Sequence, residues 1–227
     1  MQMPQRTRGM ALWWALSAVL IAGSSPAAAH EIVGQVTPLM VHMKRALLLI
    51  ENDKGRDAVA EARAIYEDFS HDMGMGMTME GAGLKSTAAQ IDRAFGTQLG
   101  ASLEQSLQKE DAAALHHLIQ QLAFLLMLEK FDVVQASFEK TSVPVQTKTT
   151  IFWLGRNYFS YLLEPTLATT DAVEEQRLDR MLDVLLYRLE DTDHRGFLTV
   201  RADLVAGITK AFDVAIPHSA PTGLSRP

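Results

Sequence analysis

The chain has 227 residues, 21 basic and 27 acidic, for a net charge of −6 at neutral pH, and it has no cysteine. That acidic balance argues against nucleic acid as a partner, because nucleic acid asks for a basic face. The missing thiols exclude disulfides, thiolate metal sites, iron–sulfur clusters and covalently attached haem, so packing alone must hold the fold.

At the N-terminus Arg6 and Arg8 precede the apolar run Met10–Ala22, which includes Trp13, Trp14, Val19, Leu20 and Ile21. Gly23 to Pro26 follow, and then Ala27, Ala28 and Ala29, the small residues of a signal-peptidase site. This is the pattern of a cleaved signal peptide over residues 1–29, leaving His30 first and placing the protein in the periplasm. The run is shorter than the roughly 20 residues that span a bilayer, and no later segment is apolar on every face for that length. The mature chain is therefore expected to lack a transmembrane segment. Removing Arg6 and Arg8 leaves 19 basic against 27 acidic residues, about −8. Residues 30–216 are long enough for one helical domain, and 217–227 read as a flexible tail.

Thr37 before Pro38 predicts a helix start, running to about Ile50, since a hydroxyl caps orphan N–H groups and proline tolerates the first helical position. Asn52 to Gly55 read as a turn. Ala58, Ala62, Ile65, Tyr66 and Phe69 then form a stripe at three- and four-residue spacing, the second arm of a helical hairpin. Residues 71–83 lack that periodicity and read as a loop. Thr87 with Gln90 resembles a capping box opening a helix that carries Ile91, Phe95, Leu99, Leu103 and Leu107.

Asp111 caps the clearest helix, with Leu115, Leu118, Ile119, Leu122, Leu125, Leu126 and Phe131 on an apolar side, reaching Phe138. Ser142 and Pro144 start another, through Phe152, Trp153, Tyr158, Phe159, Leu162 and Leu163, which Pro165 is expected to stop. Asp171 and Glu174 open the next, striped with Leu178, Met181, Leu182, Leu185 and Leu189. A last helix covers about Thr199 to Val214. Seven helices with short connections and no alternating strand predict an all-α bundle. If the chain divides internally, the linker 140–146 is the place.

The segment from His71 to Glu80 reads HDMGMGMTME, with methionine at 73, 75, 77 and 79. In an extended backbone, alternate residues share a side. Thioethers are soft ligands that suit Cu(I), and imidazole extends the range to Cu(II), zinc and iron. The intervening glycines let a backbone wrap an ion. The candidate ligands are His71, Met73, Met75, Met77, Met79 and Glu80. On the first helix Met40, His42 and Met43 fall within one turn. His42 and Met43 join the candidate set if the fold brings them to the loop; otherwise the two methionines are core and the histidine is surface. Of the adjacent pair on the fourth helix, His116 is expected to face solvent and His117 the interior. His30 offers an amino-terminal copper chelate.

Asp191, Asp193 and Gly196 imitate the start of a calcium loop, but Arg195 and Ala202 occupy positions where ligands belong, so the segment reads as a helix–helix turn. Nucleophile-elbow, phosphate-loop, HExxH and dinucleotide patterns are absent, which predicts no enzyme activity.

The runs ALLLIENDKGRDAVAEARAIYEDF and MTMEGAGLKSTAAQIDRAFGTQLGASLEQSL, within residues 45–138, resemble the helical extracytoplasmic domains associated with FTR1-type iron permeases, through an alanine-rich helix ending in Tyr66 and Phe69 and a following loop with a glutamate. The permease's membrane glutamate motifs are missing, so transport itself is not implied. The resemblance implies an accessory that binds or delivers metal, and it points to iron, whereas the methionines point to copper. The expected function is metal capture or delivery, with a membrane metal transporter or another envelope protein as partner. Two other readings stand beside it: a non-catalytic interaction protein using the methionines as an adaptable apolar contact, and a bundle binding haem non-covalently between methionine and histidine.

Overall fold

The computed structural model describes residues 36–72, 78–140 and 142–214. The expected signal peptide, His30 and the C-terminal tail lie outside them.

Helix α1 (Pro38–Glu51) starts as its sequence dictates: the Thr37 hydroxyl accepts from the Met40 N–H at 3.3 Å and proline occupies the first turn. Asp53, at φ 59°, turns the chain into α2 (Gly55–Ala64). The second helix ends five residues before Phe69, because the chain goes extended there. Phe69–Asp72 (β1) and Thr78–Gly81 (β2) pair antiparallel, in the register Phe69 with Gly81, Ser70 with Glu80, His71 with Met79 and Asp72 with Thr78. The sequence reading placed Tyr66 and Phe69 on a helix and the flanks of the methionine segment in a loop. Both expectations are corrected by this two-stranded ribbon, an excursion among described residues that are otherwise helical or connecting.

Helix α3 (Leu84–Phe95) begins three residues before Thr87, which lies inside the helix and is buried, so the expected capping box does not form. Gly96, in the left-handed region at φ 67°, ends α3, and α4 (Leu99–Lys109) begins after a short break where one long helix was expected. Asp92 bridges that break. Its carboxylate accepts from the Thr97 hydroxyl at 2.5 Å and from the N–H groups of Leu99 and Gly100 at 2.7 and 2.9 Å. A side chain of α3 thus satisfies the orphan donors of α4.

Helix α5 (Ala112–Phe138), capped by Asp111 onto Ala114 N–H, is the axis of the bundle. The seven consecutive residues Leu122 to Leu128 are all buried. Its apolar surface is therefore not one side, as the stripe suggested, but nearly the whole circumference, and α1 to α4, α6 and α9 all pack on it. By length and composition α5 is apolar enough to cross a membrane; here 56% of that stretch is buried by the other helices.

Helix α6 (Val145–Tyr158) approaches α5 closely at Gly155, where a Cβ would stand 2.7 Å from the Phe131 ring. Phe131 stacks on Phe152 with centroids 5.3 Å apart. Pro165 does not stop this rod. A π-helical turn, Phe159–Leu163, precedes α7 (Glu164–Thr170), and the Glu164 N–H reaches back five residues to the Phe159 carbonyl. Proline has no N–H to give and crowds the carbonyl four residues behind it; the wider turn accommodates both.

Asp171 caps α8 (Ala172–Glu190), and Asp193 caps α9 (His194–Phe212) by accepting from Gly196 N–H at 2.9 Å. The acidic segment before α9 is the helix–helix turn its sequence suggested, but the helix starts at His194, earlier than Thr199. With α6 to α7 counted as one continuous rod, eight helices are formed by the described residues. Their buried side chains form one contiguous core, from Leu39 to Val214.

Candidate metal centre

The ribbon leaves the bundle from a clamp between two helix ends. The carbonyls of Ile65 and Tyr66, just beyond α2, accept from the N–H groups of Leu84 and Lys85, the first residues of α3, both at 2.9 Å. The groups that helix ends leave unpartnered thereby satisfy one another. Gly83 has to be glycine, because a Cβ there would lie 2.2 Å from the Glu67 carbonyl oxygen.

Asp68 completes the clamp, accepting from Gly83 N–H at 2.9 Å and from the Ser86 hydroxyl at 2.6 Å. These two bonds, that from Gly83 first, hold its carboxyl below the usual range despite a small opposing effect of burial. Lys85 pairs with Glu67 at 2.6 Å on the surface. The start of α3 is thus held from the segment before the ribbon, its first N–H groups by the Ile65 and Tyr66 carbonyls and Gly83 and Ser86 by Asp68.

On this base Phe69 has a second contact. Its ring lies over Gly81, its partner in the ladder, and meets the imidazole of His42 edge to face, with centroids 5.4 Å apart and planes at 84°. His42 on α1 is turned towards α2, where its Nδ1 stands 2.6 Å from Glu61 Oε1. Glu61 Oε2 is 3.4 Å from Arg45 Nε. The histidine of the first helix is therefore seated against the foot of the ribbon.

Register carries the relationship further. Opposed positions of an antiparallel ladder share a parity, so Phe69, Gly81, His71 and Met79 belong to one set and Ser70, Glu80, Asp72 and Thr78 to the other. The rung His71–Met79 is one two-residue step, about 7 Å, beyond the rung on which His42 packs. Glu80 is exposed and belongs to the opposite parity. Met73, Met75 and Met77 lie outside the described residues.

The other sequence-derived candidates separate. Met40 and Met43 have no exposed surface and belong to the core. His117 is exposed on α5, whereas His116 is half-buried, with Nε2 3.6 Å from Glu51 Oε1. The expected orientations of that pair are reversed, because Leu115 and Ile119 set the buried face of the first turns of α5 and His116 lies on its α1 edge. Among the described residues no group of three His, Asp or Glu side chains stands ready to hold a metal. A cleft of about 340 Å3 between α8 and α9 is lined by Arg188, Asp193, Arg195, Gly196, Thr199 and Val200, without the methionine and histidine that haem would need.

Glu61 was missed by the sequence reading although a signal was present. It stands at i+3 between Ala58 and Ala62 and four before Ile65, a carboxylate inside the stripe that faces another helix. A charge in that position is costly unless paired, so it advertises a partner. Comparison of the chain with protein-family models, with curated proteins and with solved structures returns no match.

Proposed function

We propose that the protein is an extracytoplasmic metal-binding accessory, which captures or delivers a metal ion, copper before iron, through its methionine-containing ribbon. The observation that carries this reading is the seat of His42 against Phe69, at the foot of the strands that lead to Met73, Met75 and Met77. An imidazole fixed by the helical core is thereby one ladder step from the His71–Met79 rung.

The proposed ligands are His71, Met73, Met75, Met77 and Met79, with His42 as the contribution of the bundle. Met43 is left to the core and Glu80 to the opposite parity of the ladder. Thioether and imidazole donors together favour Cu(I). Export, read from residues 1–29, and the resemblance to domains accompanying iron permeases both support a role in the cell envelope with a membrane transporter as partner.

Anaerobic titration of the protein with Cu(I) against a chromophoric chelator tests the reading. Binding that is lost when Met73, Met75, Met77 and Met79 are all changed to leucine supports it. Equal, weak binding by both proteins overturns it and favours the ribbon as an apolar contact for an envelope protein.

A further inference from the structure

We infer that the cleft between α8 and α9 is a binding site for a small organic anion, whose carboxylate or phosphate group is held between Arg188 and Arg195. The inference is independent of the metal reading of the ribbon. The cleft holds about 340 Å3 and two arginines line it, a local inversion of sign in a chain of net charge −6. That volume lies at the lower end of small-molecule pockets, roughly 300–1,000 Å3. The segment that imitates a calcium loop forms one wall. Arg195 stands there where a ligand oxygen belongs, which suits the site to the opposite charge.

The carboxylate inside the cleft is already engaged. Asp193 Oδ1 accepts from Gly196 N–H at 2.9 Å to cap α9, and Oδ2 accepts from Arg188 Nη1 at 3.1 Å. The neighbouring Asp191 takes the Tyr187 hydroxyl instead and does not line the cleft. Donors are left in surplus. The Arg188 guanidinium has that single acceptor for its fork of N–H groups, and its Nε is buried without one. Arg195 is exposed and has no acidic partner among the described residues. Gly196 makes the arrangement possible, because a Cβ there would stand 2.8 Å from Arg188 Cδ; the glycine lets the arginine stem lie against the first turn of α9. Guanidinium forks match the paired oxygens of carboxylate and phosphate, and Val200 supplies an apolar wall for the carbon attached to them. Arginines that merely kept this surface soluble would attract any anion weakly, without saturation.

The test is a 15N–1H NMR titration of the wild type and Arg195→Gln with succinate and with inorganic phosphate, against sodium chloride at matched ionic strength. The expected result is a saturable shift of the Gly196 and Thr199 amides with succinate or phosphate that chloride does not reproduce. Arg195→Gln should bind about tenfold or more weakly, the loss of one charge-assisted contact. Arg195 has no acidic partner to lose, so the variant should melt with the wild type, and a weakened affinity then reports the site and not the fold. Tighter binding of succinate identifies a carboxylate ligand, and tighter binding of phosphate identifies a phosphate ester. Shifts that do not saturate, that chloride matches, or that saturate equally in the wild type and Arg195→Gln overturn the inference.

Discussion

The ring of Phe69 lies so close over Gly81 that a Cβ on the glycine would stand 3.0 Å from Phe69 Cζ. Two strands of four residues have little to hold them together in water, and an isolated ribbon of that size is marginal. Here a single aromatic side chain covers the backbone of its cross-strand partner and at the same time meets His42. Phe69→Ala removes both contacts. Because Phe69 is half-buried, the expected loss of stability is about 2 kcal/mol, below the ~3–5 kcal/mol of a fully buried phenylalanine. The same variant is expected to weaken Cu(I) binding several-fold, whereas Phe69→Leu keeps most of the stability. Urea melts and chelator competition on the two variants measure the two effects separately.

Asp92 holds the α3–α4 break. Its carboxylate satisfies Leu99 N–H, Gly100 N–H and the Thr97 hydroxyl, so Asp92→Ala leaves three donors near the start of α4 without their acceptor. Loss of a helix cap costs about 1–2 kcal/mol. The denaturant midpoint should fall with the m-value unchanged; a midpoint equal to that of the wild type would show that water replaces the carboxylate fully.

Asp68 gives the clamp a pH dependence whose sign follows from its lowered pKa. The folded protein binds this proton less readily than the unfolded chain, so the carboxylate contributes stability above its unfolded pKa, which is near 3.8. That contribution is lost as the pH falls through the still lower folded value. Asp68→Asn should be less stable at neutral pH and should show a shallower loss of stability in acid than the wild type. Thermal melts of the two proteins from pH 7 down to about 3 test this, and parallel profiles would contradict it.

What the sequence made legible was local. Thr37, Asp111 and Asp171 cap helices by bonds to residues three positions on, and a reader of the chain finds them without knowing the fold. The all-α class follows from the same periodicity. Where a helix start is held from a distance, local reading fails: the Ile65 and Tyr66 carbonyls take the first N–H groups of α3, Asp68 holds Gly83 from fifteen residues upstream, and the Thr87 pattern that resembles a cap is buried in the helix. Pro165 is a related case, since the π-helical turn Phe159–Leu163 that lets the rod continue through it has no local signature in the sequence.

The candidate site divides along the same line. The methionine spacing is visible in the primary structure, but the seat of His42 depends on the return of α2 beside α1 and on the register that pairs Phe69 with Gly81. His116 and His117 show the limit of reading adjacent residues. The two cannot share a face, and the burial of Leu115 and Ile119 with the nearness of Glu51 on α1 places His116 on the more covered side.

The central claim is that thioethers of the ribbon hold the ion. Its most direct measurement is the anaerobic Cu(I) titration of the wild type and of the variant in which Met73, Met75, Met77 and Met79 are leucine, against one chelator at one pH. The account predicts that the wild type competes for Cu(I) and the variant does not, with both folded by circular dichroism. Equal, weak competition by the two proteins would contradict it.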